Sequence, residues 1–243
     1  MNKNYFVKGK VMDLKQKLDE FYIQINDEQL EMFNKYMNLL LEWNEKINLT
    51  AIVEPDEVKL KHFVDSLTVL KYINDENKII DIGTGAGFPG IPIKIMMPNT
   101  KITLLDSLNK RINFLNIVVE TLNLKNIQAI HGRAEELARN KLHREKYDIA
   151  VSRAVANLST LVEYMLPFVK VGGKCICMKG ANVKEELDKA QNAIKELGGE
   201  IEKVDNFYLS DNDNERNIII IKKVKETKSK YPRKAGTPSK EPL

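Results

Sequence analysis

From about residue 11 to residue 72, hydrophobic positions recur at helical spacing. Val11, Leu14, Leu18 and Phe21 form one stripe; Leu30, Phe33, Met37, Leu40 and Leu41 form a second; Val58, Phe63, Leu67 and Leu70 form a third that starts after Pro55. Asn26 and Gln29 stand three apart at the start of the second run, the spacing of a capping box. After Asn77 the period changes to short apolar runs at 79–82, 102–105, 127–130, 148–151 and 174–178, separated by helical stretches near 109–122, 158–165 and 183–197. Alternation of this kind predicts an α/β fold built on a parallel, doubly wound sheet. Two further runs, 200–207 and 217–222, are joined by the turn-prone 210–214 segment with no helix between them, so they are expected to pair antiparallel. The expected organisation is a helical lobe over 1–75, an α/β domain over 76–223 and a basic, flexible tail over 224–243.

Composition narrows this picture. The chain has 243 residues, 43% of them hydrophobic, enough for one sizeable core, and no run of about 18 apolar residues. A cytoplasmic location is expected, because no early stretch reads as a secretion signal. Cys175 and Cys177 alternate on one strand and should be reduced packing residues, and the scattered His62, His131 and His143 offer no metal-site spacing. Charge is uneven along the chain. Residues 222–243 carry eight Lys or Arg against two Glu, so the formal net charge of +4 resides there. A segment of that kind can lie along phosphates, with affinity that falls as salt rises.

The most specific local signal is Asp81-Ile-Gly83-Thr-Gly85-Ala-Gly87-Phe88-Pro-Gly90, placed where the first strand ends and a helix begins. Glycines there let backbone approach a ligand at the carboxyl edge of the sheet. The spacing Gly85-x-Gly87-x-x-Gly90 also satisfies the dinucleotide fingerprint, so the loop alone admits both NAD and S-adenosylmethionine. Two features favour the second. Asp81 lies before the loop, where a carboxylate can hydrogen-bond the amino acid end of S-adenosylmethionine directly or through water. The helix-free strand pair is the ending expected of a seven-stranded, Rossmann-like class I methyltransferase sheet. Asp106 closes the second strand, where a carboxylate can accept both ribose hydroxyls, though an Asp before a helix also serves as a cap. After the third strand, Ala134 and Glu135 can bracket the adenine edge.

Trp43-Asn44 with Asn48-Leu49-Thr50, His62-Phe63-Val-Asp65-Ser66, the glycine loop, Asp106-Ser107 with Lys110-Arg111, Ser152-Arg153-Ala154 and Tyr231-Pro-Arg233-Lys-Ala-Gly-Thr-Pro occur in order over nearly the whole chain. The chain thereby resembles the bacterial small-subunit rRNA guanine-N7 methyltransferases, the glucose-inhibited division protein B family. The resemblance implies S-adenosylmethionine as cofactor, contacted by Gly83, Phe88, Ala134, Glu135 and Arg153 with Asp106 as the ribose acid. It also implies one guanine of 16S rRNA as substrate. The expected partner is 16S rRNA or the small ribosomal subunit, met by a monomer without a membrane.

Guanine N7 carries an exposed lone pair at neutral pH, so its methylation needs alignment and no general base. The sequence is compatible with that chemistry. The fourth strand ends in Val151-Ser152-Arg153 where adenine-N6 enzymes carry an Asn or Asp followed by Pro-Pro, and no cysteine follows a proline as pyrimidine-C5 chemistry requires. Arg153 and Lys179 are the expected substrate-positioning residues: Arg153 has a fork suited to guanine O6 or phosphate, and Lys179 can equally be a strand-end lysine with its head in water. His62, Asp65 and Ser66 can line the mouth of the site or simply be polar neighbours at helical spacing; Phe88 or Trp43 can stack on a splayed base, although Trp43, flanked by Leu39, Leu40, Leu41 and Ile47, reads first as core. A small-molecule methyltransferase, a non-catalytic ribosome-assembly factor and a dehydrogenase remain the alternatives.

Overall fold

The computed structural model describes residues 12–153, 155–181, 183–211 and 213–243. Val11 of the first stripe and Ala154 of the Ser152-Arg153-Ala154 motif lie outside the described residues. The amino-terminal part is helical throughout: α1 (Leu14–Asp19), α2 (Asp27–Ile47), α3 (Pro55–Val58), a π-helical turn (Lys59–Val64) and α4 (Asp65–Leu67). The capping box forms as the spacing requires, with Asn26 Oδ1 accepting from Gln29 N–H at 2.8 Å and the Gln29 side chain accepting from Asn26 N–H at 3.1 Å. The third stripe is not one regular helix, because it widens to π geometry, a form common near functional sites.

Seven strands form one sheet in the order β3-β2-β1-β4-β5-β7-β6: β1 (Lys78–Ile82), β2 (Lys101–Asp106), β3 (Ile127–His131), β4 (Tyr147–Arg153), β5 (Val169–Lys179), β6 (Gly199–Ser210) and β7 (Asp213–Lys223). The first five pair parallel, and β7 lies antiparallel to both β5 and β6. Between them run α5 (Gly90–Met96), α6 (Asn109–Thr121), α7 (Ala134–Leu137), α8 (Leu158–Met165) and α9 (Val183–Glu196). Successive strand residues go to opposite faces. Ile79, Ile102, Val151 and Ile218 join a core with Phe33, Tyr36 and Phe63 of the amino-terminal helices. Ile80, Leu105, Cys175, Cys177 and Ile219 join a second core with α8 and α9. The helical lobe is therefore one of the two layers that cover the sheet. Both cysteines are buried and unbridged on one face.

The strand order reverses between β1 and β4, and open α/β sheets bind ligands over the carboxyl ends of such a pair. The tail differs from the flexible arm expected of its composition. Tyr231 is 4% exposed, and Arg144 donates to the carbonyls of Thr227, at 2.6 Å, and Tyr231, at 2.8 Å. Arg233 grips the fully buried Glu163 through Nε at 3.0 Å and Nη2 at 2.7 Å, and α10 (Thr237–Lys240) follows. Four of the eight cations of residues 222–243 are paired within the protein: Lys223 with Glu145, Lys228 and Lys230 with Glu196, Arg233 with Glu163. Composition predicted a free chain because the acidic partners are contributed by distant segments.

Candidate cofactor and substrate site

A cleft of about 620 Å³ opens over the carboxyl ends of β1, β4 and β5. Gly83, Gly85, Phe88 and Asp106 line it from the sheet side, Thr50, His62 and Asp65 from the helical layer, and Arg153, Lys179 and Arg216 from the β4, β5 and β7 ends. A narrower pocket bounded by Ala134, Glu135 and Tyr164 shares Gly83, Asp106, Ser107 and Val155 with it, so the two form one trough running across the ends of β1 and β2.

The glycine loop turns over Asp81. This carboxylate is fully buried: Oδ2 accepts from Thr84 Oγ1 at 2.6 Å and from Gly90 N–H at 2.8 Å, whereas Oδ1 has no partner among the described residues. Burial pushes its pKa up to about 6, against the hydrogen bonds from Thr84 and Gly90. The three loop glycines serve different purposes. Gly83 and Gly85 face the cleft at positive φ. Gly87 does not: a Cβ there would come within 2.5 Å of Ile91 Cδ1 and 2.8 Å of the Tyr36 hydroxyl, so its role is packing under the loop.

Asp106 is 2% exposed at the lip of both cavities. Its Oδ2 accepts from Gly85 N–H at 2.9 Å and from Arg111 Nη1 at 3.1 Å, and Oδ1 accepts from Leu108 N–H at 2.9 Å. The capping use and the binding position thus coexist on one carboxylate. Oδ2 thus already accepts two hydrogen bonds, and Oδ1 keeps lone-pair capacity for a hydroxyl donor. Glu135 is buried and accepts from Gly236 N–H of the tail at 2.9 Å.

Arg153 points toward the helical layer. Nη1 donates to Asp65 Oδ2 at 3.0 Å and Lys61 O at 2.9 Å, Nη2 donates to His62 Nδ1 at 3.0 Å, and the guanidinium lies 4.9 Å from the Phe88 ring centre. Asp65 Oδ1 accepts from Arg216 Nε at 3.1 Å, joining β4, the π turn and β7 in one network. Burial and the Arg153 charge hold His62 neutral, its pKa lowered to about 3. Phe88 stacks on His62 at 4.5 Å and is 5% exposed, so its ring is not open to a substrate base. Trp43 packs into the first core beside Phe114, away from the cleft. Lys179 donates to Glu186 at 2.7 Å and Ala156 O at 2.5 Å, which fixes it at the cleft wall instead of leaving it extended. Ser66 is buried outside the cleft.

Sequence reasoning missed Arg216. Its only signal was position: it precedes the 217–222 run, and an antiparallel last strand starts at the sheet edge where the parallel ones end.

Residues 29–219 match the family described as rRNA small subunit methyltransferase G. The chain belongs to that family. It is 52% identical to the ribosomal RNA small subunit methyltransferase G of Alkaliphilus metalliredigens, over 96% of this chain and 98% of the relative, and 54% identical to that of Clostridium botulinum strain Loch Maree, over 95% and 97%. Among solved structures, a mutant of MtNAS in complex with S-adenosylmethionine aligns over 81% of this chain and 76% of its own, with a TM-score of 0.54 and 14% identity. TrmN from Thermus thermophilus aligns over 66% and 48%, with a TM-score of 0.53 and 14% identity. These structural likenesses carry the fold: the Rossmann-like class I methyltransferase sheet expected from the sequence is the one observed. The chain is an S-adenosylmethionine-dependent rRNA methyltransferase. The trough fits the cofactor, since an unpartnered carboxylate oxygen lies beneath its loop and a second acid stands at its lip. Among the described residues no helix is long and apolar enough to cross a membrane, and no cluster of side chains is suited to a metal.

Proposed function

We propose that this chain methylates N7 of a guanine in 16S rRNA, acting as a monomer on the small ribosomal subunit in the cytoplasm. The observation that carries the reading is that Asp65, Asp106, His62 and Lys179, which line the cleft, are already committed, while the unpartnered acid, Asp81, is buried beneath the glycine loop and off the cleft lining. Asp65 is held by two arginines, Asp106 by Gly85, Leu108 and Arg111, His62 by Arg153 and Thr50, and Lys179 by Glu186. A site so arranged offers no ready general base, and N7 needs none.

When bound, S-adenosylmethionine supplies an electrophilic methyl group on a sulfonium. Asp106 would hold its ribose hydroxyls through Oδ1, Ala134 and Glu135 its adenine, the Gly83–Gly85 backbone its amino acid portion, and Asp81, buried beneath the glycine loop and off the cleft lining, its ammonium through water. The N7 lone pair forms the new C–N bond as the C–S bond breaks and its electron pair returns to sulfur; the positive charge passes to the guanine and no proton moves. The protein's contribution is alignment, which can account for much of a bimolecular barrier. Arg153 contributes by fixing His62 and Asp65, and Arg153, Arg216 and Arg111 make the cleft attractive to phosphate.

The test is transfer of labelled methyl to small-subunit particles from a strain lacking the protein, with the modified nucleotide mapped by mass spectrometry. Label at N7 of one 16S guanine supports the reading. Label on protein, on a small metabolite, or at a ring carbon or exocyclic amine of the RNA overturns it.

A further inference from the structure

The hydrogen-bond directions across the cleft fix the proton of one hydroxyl that nothing above uses. Guanidinium groups only donate, so His62 Nδ1, 3.0 Å from Arg153 Nη2, must accept. His62 then carries its proton on Nε2 and donates to Thr50 Oγ1 at 2.8 Å. The same oxygen accepts from Ile52 N–H at 3.0 Å. Both lone pairs of the Thr50 hydroxyl are therefore occupied, and its proton must be donated elsewhere. No acceptor for it exists among the described residues, and Thr50 is half-buried on the cleft wall.

The hydroxyl is rigidly held. Thr50 N–H donates to Asn44 Oδ1 at 2.8 Å, and Asn48 turns the chain out of α2 in the left-handed region at φ 49°. At the other end of the relay, Arg153 is anchored on Asp65 at 3.0 Å, and Asp65 on Arg216 at 3.1 Å. Donors held at both ends leave the hydroxyl one direction in which to give its proton. A fixed O–H donor aimed into a substrate cleft is a device for recognising an acceptor.

We propose that Thr50 donates this hydrogen bond to O6 of the target purine and so selects guanine over adenine. The proposal rests on the guanine-N7 reading and deepens it. O6 lies beside N7 on the same base edge, so a donor to O6 holds the base while leaving the N7 lone pair free. Adenine presents an amino group at that place, and two facing donors would leave Thr50 unpaired. Thr50 is thus a specificity-determining residue, and His62 and Arg153 act on the base through it as positioning residues.

The test compares wild type, Thr50→Val and Thr50→Ser on reconstituted small-subunit particles carrying either guanine or 2-aminopurine at the target position; 2-aminopurine retains N7 and lacks O6. Thr50→Val is expected to lower kcat/KM on guanine about tenfold or more, Thr50→Ser to stay within a few-fold of wild type, and S-adenosylmethionine binding by calorimetry to be unchanged in both. On 2-aminopurine, wild type and Thr50→Val should become nearly equal. Wild-type rates on guanine by Thr50→Val, or the same loss on both bases, would overturn the proposal, the second result marking a purely structural role. Should Thr50→Val not fold, undiminished wild-type turnover of 2-aminopurine overturns it as well. Wild-type enzyme that places no methyl on guanine N7 overturns the functional reading itself, a result distinct from all of these.

Discussion

Glu135 and Gly236 stand 101 positions apart in sequence and are joined by a hydrogen bond of 2.9 Å from the Gly236 N–H to Glu135 Oε1. Glu135 borders the pocket expected to take the adenine, so the carboxy-terminal segment braces the cofactor site from outside. Removing residues 232–243 is expected to weaken S-adenosylmethionine binding and to lower the melting temperature. The slope of RNA affinity against salt should fall by no more than the share of the two exposed lysines lost, Lys234 and Lys240, because Lys228 and Lys230 remain and Arg233 is already neutralised by Glu163. Calorimetry with the cofactor and a salt titration of RNA binding check this. Intact cofactor binding with a flattened salt slope would restore the phosphate-binding arm.

The Arg233–Glu163 pair gives a sharper stability test, since Glu163 is fully buried and receives Arg233 Nε, Nη2 and the Arg233 backbone N–H. Arg233→Met keeps the backbone donor and the bulk but leaves the carboxylate without a counter-charge. Breaking a buried pair from one side costs about 3–5 kcal/mol. In a chain of this size each kcal/mol lowers Tm by about 2–4 °C. Thermal unfolding followed by circular dichroism should therefore show a fall of roughly 6 °C or more, and the double change Arg233→Met with Glu163→Gln should recover part of it.

The sheet was legible because its signals are local. Alternating runs, the glycine loop and a helix-free final pair each lie within a few residues, and all seven strands formed where those runs are. The places of Asp106, Gly83, Gly85, Ala134 and Glu135 on the walls of the trough were legible for the same reason, standing at or just after strand ends that the alternation already marked. What was illegible depends on pairing at a distance. Arg233 reads as a free cation until Glu163 is seen beneath it, and Phe88 reads as a platform for a base until His62 covers its face. Gly87 reads as a ligand-facing glycine, yet Ile91 and Tyr36 supply its reason. Thr50 stands in one of the motifs that carry the resemblance, but the direction of its hydroxyl was illegible, since it follows from the tautomer of His62 set by Arg153 on β4.

Two buried groups make opposite contributions to stability as pH changes. Asp81 has a folded-state pKa raised to about 6 from 3.8, so the folded state keeps a proton that the unfolded state releases, and stability from this group falls as pH rises through about 4 to 6. His62 is lowered to about 3 from 6.5, so the unfolded state takes a proton the folded state refuses, and stability falls as pH drops from about 6.5 toward 3. Between about pH 4 and 6 the two slopes, each at most about 1.4 kcal/mol per pH unit, oppose one another. Relative to wild type, Asp81→Asn is expected to lose stability more steeply on acidification across this window, and His62→Gln less steeply. Urea unfolding at four pH values from 4.5 to 7.5 checks both, and parallel curves for the three proteins would contradict the assigned shifts.

Gly85 and Gly87 lie two apart in one loop, both at positive φ, and substitution should separate their roles. An alanine at position 85 meets nothing closer than the Gly83 carbonyl at 4.0 Å, so the cost to the fold is mainly the conformational one, roughly 1–2 kcal/mol. Its Cβ would nevertheless stand on the cleft wall, where backbone must approach the cofactor closely. At Gly87 the Cβ would lie 2.5 Å from Ile91 Cδ1 and 2.8 Å from the Tyr36 hydroxyl, which is itself tied to Ala86 O at 2.5 Å. Overpacking of that kind typically adds about 1–3 kcal/mol to the conformational cost. Gly87→Ala should therefore give the larger fall in melting temperature. Gly85→Ala should remain folded and lose cofactor affinity, measured by calorimetry well below its own melting point. The reverse order, with Gly85→Ala the less stable protein and Gly87→Ala the weaker binder, would show that Gly87 and not Gly85 faces the cofactor.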